Sequence, residues 1–252
     1  MDENTTIIAI GSGKGGVGKS TVAANLAISL SQKGYNVGLL DGDILGYSIP
    51  QIMGIKNEKA TATGENKIRP VEQFGIKVMS MGNLVDENQP LVWRGPILSG
   101  ILEQFMKDVN WGPIDFLLLD LPPGTGDIPL SLMQQAKDTK FVIVTTPQIT
   151  AKDVAKRLGL MAQKTNSEII GVIENMSYFI CDNCNEKHYI FGKGEGKILS
   201  QELKVDLIGE IPLLKEIRAG GDVGTIPALD QESTIGRIYE TISDNVIEKL
   251  EK

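Results

Sequence analysis

Short runs of aliphatic and β-branched residues alternate along the chain with longer stretches whose apolar positions recur every three to four residues. That rhythm belongs to a parallel sheet covered by helices. Strands are predicted at 7–10 (IIAI), 36–41 (NVGLLD), 76–81 (IKVMSM), 116–121 (FLLLDL), 141–146 (FVIVTT), 168–175 (EIIGVIEN) and 205–211 (VDLIGEI). Helices are predicted at about 19–33, 96–109, 128–137, 150–165 and 194–203. From Glu232 onward, Ile235, Ile238, Ile242, Val246 and Leu250 form one core-facing helical stripe with a largely acidic opposite face. The expected fold class is α/β, a doubly wound, mostly parallel sheet flanked by helices, with ligands gathering at the carboxyl ends of the strands. The whole chain, 1–252, is expected to form one domain.

Two segments break the rhythm. Residues 57–67 (NEKATATGENK) are polar and are expected to be a mobile surface loop. Residues 176–193 hold Cys181, Cys184, four aromatics and the sole histidine, His188, where a connection of a few residues would suffice. A connection of that length is expected to carry function.

Composition narrows the function classes. With 41% hydrophobic and 23% charged residues the chain can bury a core and is not compositionally disordered. Glycine supplies 28 of 252 residues, about 11% against a background of roughly 7%, and many lie at strand ends, where backbone can approach a ligand. The net charge of −7 and the absence of a dense Lys/Arg run give no source for phosphate-backbone attraction, so no nucleic-acid partner is expected. The N-terminal MDENTT is acidic and no apolar run nears ~20 residues, so neither a signal peptide nor a membrane partner is expected, and the location should be cytoplasmic. Two cysteines spaced C-x-x-C are too few for a disulfide framework and point to chemistry.

The first strand runs into GSGKGGVGKST, Gly11 to Thr21. Gly11, Gly13 and Gly16 match the dinucleotide fingerprint G-x-G-x-x-G. Gly13, Gly18, Lys19 and Ser20 match the more specific phosphate loop G-x-x-x-x-G-K-[ST]. A nucleoside triphosphate with Mg²⁺ needs both the lysine and the hydroxyl, whereas a dinucleotide needs neither. The candidate nucleotide-binding residues are therefore Gly13, Lys14, Gly15, Gly16, Val17, Gly18, Lys19, Ser20 and Thr21. Ser20 is a Mg²⁺ ligand, and Asp120, ending the FLLL run, is the acid that holds the metal through water. Asp41 and Asp43, in LLDGDILG, end the second strand. Asp43 is expected to position the attacking water and Asp41 to help near Mg²⁺, with structural capping the alternative. Lys14, a second lysine within the loop, is either a solvated charge or a group that reaches the phosphates of a partner subunit.

KGGVGKST, with its extra lysine after Gly13, resembles the deviant Walker A motif of the ParA/MinD/nitrogenase-iron-protein superfamily of dimeric P-loop ATPases. DGDILGYSIP, VWRGP (92–96), LDLPPGTGD, ENMSYF (174–179) and the following CDNC narrow the resemblance to the Mrp/ApbC family of iron-sulfur cluster carrier ATPases. These motifs cover essentially the whole chain. The resemblance implies a homodimer with nucleotide near its interface, Lys14 acting across that interface, Asp43 and Asp120 in two switch regions, and Asn175 on the adenine. Neither the N-terminal cysteine-rich segment nor the added N-terminal domain of some members is found in the sequence, so functions needing those parts are not expected.

Cys181 and Cys184 supply two thiolates where a cluster or a structural zinc takes four ligands. A twofold axis presents the same patch twice, so two chains could bridge one labile 4Fe-4S cluster. Zinc bound with help from His188, or a redox disulfide, are the alternatives. The expected function is slow, Mg²⁺-dependent ATP hydrolysis coupled to carriage of an iron-sulfur cluster to apoproteins. A positioning ATPase of the MinD/ParA type would want a basic amphipathic C-terminal helix, a small-molecule kinase on the same scaffold would have no use for the cysteines, and Arg94 receives no role.

Overall fold

Alternation within each apolar run decides which helical layer a strand feeds. In β1 (Thr6–Ser12), Ile8 and Ile10 join the apolar cluster on one face of the sheet and Ala9 the cluster on the other. In the strand at 116–120, Leu118 goes to the first cluster while Leu117 and Leu119 go to the second. A strand buried on both faces needs an unbroken apolar run, which is what these segments have. Truncating such a buried leucine to alanine costs about 2–5 kcal/mol.

The computed structural model describes residues 4–64, 67–85, 95–135 and 138–251. After β1 come α1 (Lys19–Gln32), β2 (Val37–Asp41), α2 (Ile49–Ile52), β3 (Thr61–Ala62), β4 (Ile68–Arg69), β5 (Val71–Gln73), β6 (Ile76–Met79) and α3 (Gly95–Asp108). The second half contributes β7 (Phe116–Asp120), α4 (Asp127–Gln135), β8 (Lys140–Thr145), α5 (Ile149–Lys164), β9 (Glu168–Asn175), β10 (Phe179–Ile180), β11 (Lys187–His188), α6 (Glu195–Leu203), β12 (Leu207–Ile211), α7 (Lys215–Val223) and α8 (Thr234–Leu250). Eight strands form the main sheet in the order β12-β9-β8-β1-β7-β2-β6-β5, all neighbours parallel except the antiparallel edge pair β5–β6. The chain is thus an α/β, doubly wound, mostly parallel sheet flanked by helices, as its sequence predicts.

One consequence of the strand order matters for chemistry. The register pairs Ile10 with Asp120 and Asp41 with Asp120, so the carboxyl ends of β1, β7 and β2 lie side by side. Helix α1 fits beneath them because its inner residues are small or aliphatic (Val22, Ala23, Ala24, Leu26, Ala27), and all of these are buried. Helix α8 covers α1, with Ser29 Oγ and Ser243 Oγ 2.9 Å apart in the seam.

The structure departs from the sequence expectation in several places, among them the short α2 and β5, which no predicted element covers. Within 57–67, Thr61–Ala62 pairs antiparallel with Ile68–Arg69, so the polar stretch is partly a small hairpin; a two-residue strand is too short for periodicity to reveal. Helix α7 is not legible in the sequence, because KEIRAGGDV carries two glycines and little apolar content. The segment 176–193 contains a second hairpin, β10–β11. Arg94 and the start of VWRGP lie outside the described residues. Among the described residues, no helix is long and apolar enough to cross a membrane.

Candidate functional site

The loop between β1 and α1 is shaped by glycine at two kinds of position. Gly16 (φ 80°) and Gly18 (φ 83°) occupy the left-handed region. Gly13 is confined by space: a Cβ there would collide with the backbone of Val154 and Ala155 in α5. Gly18 caps α1 without any side-chain hydrogen bond, so the first-turn N–H groups and the positive end of the helix remain free for an anion. Gly15 through Thr21 line a cavity of about 340 Å³ together with Ser12, Lys14, Asp43, Ser48 and Pro123. The chain after Asp120 is tied to this loop by Gly124 N–H donating to Ser12 O at 2.8 Å.

Lys19 is 6% exposed and forms an ion pair with the wholly buried Asp120. Its Nζ also lies 3.3 Å from Ser20 Oγ. Burial pushes the Asp120 carboxyl above the usual range, and the Lys19 ammonium opposes that shift. Asp120 Oδ2 is buried with no hydrogen-bond partner among the described residues. A buried carboxylate oxygen without a partner is costly unless a metal, its water or a ligand completes it. Ser20 Oγ and Asp120 are therefore of the right donor type to hold a divalent cation such as Mg²⁺.

Asp41, which ends β2, and Asp43, two residues beyond it, separate in role. Asp43 lines the cavity, its Oδ1 accepting from Gly46 N at 3.1 Å. Asp41 is fully buried and is absent from that wall. Its Oδ2 accepts from Ser48 N and Ile49 N at 3.2 Å and from Ser80 Oγ at 3.1 Å, and its Oδ1 from Asp43 N at 3.2 Å. Burial, then the neighbouring Asp120 charge, pushes its pKa up to about 8. Asp41 thus pins the loop that carries Asp43, close to the capping alternative. Lys14, expected either free in solvent or across an interface, donates within its own chain to Gln148 Oε1 at 2.9 Å, at the N-terminus of α5.

A second cavity of about 330 Å³ adjoins the first, sharing Gly18, Thr21 and Ile52, and is walled by Asn175, Met176, Pro212, Leu213, Ile217 and Arg218. Its size and apolar walls suit a small ring system. Asn175 Nδ2 donates to Val17 O at 2.8 Å, and a Cβ at Gly18 would run into it, so β9 clamps the phosphate loop. Helix α7 supplies one wall, a contribution that sequence periodicity misses.

Six residues beyond Asn175 the chain reaches Cys181. Met176 adopts φ 55°, Ser177 N–H donates to Ile211 O at 2.9 Å, and Leu213 N–H donates to Tyr178 O at 2.7 Å, which leads the chain out beside β12. Cys181 is half-buried and Cys184 exposed at the tip of the β10–β11 hairpin, both as free thiols. Cys181, Cys184 and His188 have ligand atoms within 4.8 Å of one another. The histidine, which the sequence offered only as the extra ligand of an alternative zinc site, thus stands beside the pair. The backbone N–H groups of Asn183 and Cys184 hold the Cys181 thiol below its ordinary value. Lys215 Nζ of α7 lies 3.3 Å from Asp182 Oδ2, so the helix that walls the second cavity also touches the cysteine turn.

Residues 3–247 match the family described as ParA, NUBPL iron-transfer P-loop NTPase. An iron-sulfur cluster carrier protein of Bacillus subtilis is 49% identical over 250 residues, which cover 99% of this chain and 70% of that protein. The iron-sulfur cluster transfer protein NUBPL of Dictyostelium discoideum is 43% identical over 97% of this chain and 76% of its own. Among solved structures, a nucleotide-binding protein from Archaeoglobus fulgidus in complex with ADP superposes with a TM-score of 0.79 at 40% identity, covering 93% of this chain and 91% of that one. The MinD cell-division ATPase of Pyrococcus furiosus shares the fold, with a TM-score of 0.72 at 24% identity over 97% of this chain and 99% of its own.

Proposed function

The chain belongs to the ParA, NUBPL-type family of iron-transfer P-loop NTPases, and from that premise we propose that it is an ATP-hydrolysing carrier that passes an iron-sulfur cluster to apoproteins. The observation that carries the reading is the joining of two sites by one short stretch of chain. Asn175 walls the nucleotide cavity, and Cys181 stands six residues later in a turn that α7 also touches. Relatives named as cluster carriers, and the ADP complex of the Archaeoglobus protein, support the two halves separately.

The uncapped first turn of α1 and the Lys19 ammonium hold the β and γ phosphates of ATP, with Lys19 exchanging its bond to Asp120 for phosphate oxygens. Ser20 and, through water, Asp120 hold Mg²⁺; when bound, the ion neutralises charge that builds on the phosphates. Asp43, on the cavity wall, orients the attacking water, while Asp41 beneath it keeps the Asp43 loop in place. The adenine occupies the second cavity beside Asn175. Lys14 serves a partner's nucleotide once it leaves Gln148, so catalysis requires a homodimer.

The cluster is cargo held between two chains by Cys181 and Cys184 of each, since one chain offers two thiolates and a 4Fe-4S cluster takes four. Nucleotide state reaches it through Asn175, Met176 and α7. Anaerobic reconstitution with iron and sulfide tests this. Wild type should bind about four irons per dimer and transfer them to an apo-acceptor at a rate set by the bound nucleotide. Cys181→Ala and Cys184→Ala should bind none while remaining folded by circular dichroism. Stoichiometric zinc in protein purified anaerobically, with no iron uptake, would refute the cluster reading.

A further inference from the structure

The motif ENMSYF gives Asn175 and Met176 to the wall of the second cavity, but Glu174 before them and Ser177 after them stand apart from that wall. Glu174 is 1% exposed, and its carboxylate spans the base of the excursion that carries the cysteine turn. One oxygen, Oε1, accepts from Ser177 Oγ at 2.6 Å, where the chain leaves β9. The other, Oε2, accepts from Gly196 N–H in the first turn of α6, where the chain returns. Gly194 caps that helix without a side-chain hydrogen bond, so Glu174 supplies an acceptor that the first turn otherwise lacks. A Cβ at Gly196 would lie 2.7 Å from Glu174 Cβ, so the close approach depends on glycine. Helix α6 is tied in turn to α5, with Gln163 Nε2 donating to Leu203 O at 2.7 Å and Lys156 Nζ to Glu202 Oε1 at 3.0 Å, which fixes the returning end to the body of the fold. Ser177 Oγ also lies 3.2 Å from Glu210 Oε1, on the register partner of Glu174 in β12. A hydroxyl has one proton, so it serves one of these carboxylates at a time.

We infer that Glu174 is a positioning residue: through Ser177 it braces the short link that Asn175 and Met176 make with the hairpin, so that filling the nucleotide cavity is felt at the cysteine turn. The reason is mechanical. Met176 holds φ 55°, which a non-glycine residue keeps only where its surroundings fix it. Just beyond it, Ser177 is held twice, by its N–H on Ile211 O at 2.9 Å and by its hydroxyl on Glu174. A ligand that moves Met176 therefore pulls against both bonds instead of against slack chain. With the Glu174–Ser177 bond removed, the outgoing leg keeps its backbone bonds to Ile211 and Leu213 but loses its tie to α6. The displacement would then be absorbed before it reaches the turn. This rests on the reading that nucleotide fills the cavity beside Asn175, and it requires neither a metal, nor a cluster, nor a second chain.

Cys181 and Cys184 are the only thiols in the sequence, so their alkylation reports on the hairpin alone. The test treats the reduced, metal-free chain with iodoacetamide, with and without Mg²⁺ and ADP, and follows labelling of each cysteine by mass spectrometry. In wild type, ADP should slow labelling by about 5-fold or more, the lower end of ordinary coupling between sites. Ser177→Ala should bind ADP with close to wild-type affinity and keep its circular dichroism, yet label at the same rate with and without ADP. Glu174→Gln should keep the response, because its amide oxygen can accept from Gly196 N–H while its NH₂ donates to Ser177, whose own proton then goes to Glu210. A Glu174 that merely capped α6 would give the reverse, with Ser177→Ala responding to ADP like wild type and Glu174→Gln less stable. That pattern, or labelling of wild type that ignores ADP, would overturn the inference. Iron-sulfide reconstitution of the same proteins separates it from the carrier reading. A cluster in wild type whose labelling ignores ADP refutes only the role of Glu174. An ADP response that Ser177→Ala abolishes, with no iron uptake by wild type, refutes only the carrier.

Discussion

The phosphate loop and the cysteine hairpin are built on opposite architectures. The first is assembled from strand ends distant in sequence: Ser12, Asp41 and Asp120 come from three strands, and Asn175 of a fourth clamps Val17. Its lysine and its two deepest carboxylates are buried. The second is a local ribbon of two residues per strand, closed by its own turn, with an exposed cysteine and an exposed histidine. Burial makes the first site's electrostatics strong and its geometry dependent on the whole sheet. Exposure leaves the second open to solvent and free to change at little cost to the fold.

The largest expected effect lies in the buried site. Lys19→Ala removes the cation that meets the phosphates and leaves Asp120 buried without its partner, so ATP turnover measured by phosphate release should fall by about 100-fold or more. Unchanged turnover would place hydrolysis elsewhere. Next comes Asp43→Asn, which should lower kcat by about 100-fold while nucleotide Kd changes little, because a water-positioning group acts mainly in the transition state. Equal losses in affinity and rate would make Asp43 a binding residue.

Asp41→Asn should then show that the carboxylates at the end of β2 and just beyond it do different work. The substitution disturbs a carboxyl that accepts from Ser48, Ile49, Asp43 and Ser80, so urea unfolding should reveal a loss of about 1–3 kcal/mol. Cys184→Ala, by contrast, should alter stability by less than about 0.5 kcal/mol. A large loss in Cys184→Ala would mean that the hairpin is a structural element. The smallest effect belongs to the tie between the regions. Lys215→Ala removes an exposed ion pair with Asp182, worth under about 1 kcal/mol, and should reduce the nucleotide dependence of cluster transfer several-fold at most. Transfer that keeps its full nucleotide dependence would leave Asn175 and Met176 as the sole link.

Much of this was legible in one dimension. The apolar runs announce strands buried on both faces, and Gly13, Gly18, Lys19 and Ser20 announce phosphate binding, because each depends on residue type at fixed local spacing. Helix α7 escaped because its residues are polar and glycine-rich; it is held as a wall by what it packs against, α2 among its neighbours. The hairpins escaped because two-residue strands leave no period to detect.

The chain's linear order thus determined the α/β class, the phosphate loop and the presence of a cysteine pair, all carried by local pattern. Only the tertiary structure decided that Asp41 lies beneath the cavity while Asp43 faces it, that Lys14 rests on Gln148, and that His188 stands beside the cysteines. Those facts depend on strand register and on which side of a ribbon a residue falls. A shift of one residue in pairing reverses every such side, and pairing is settled by contacts across the whole fold.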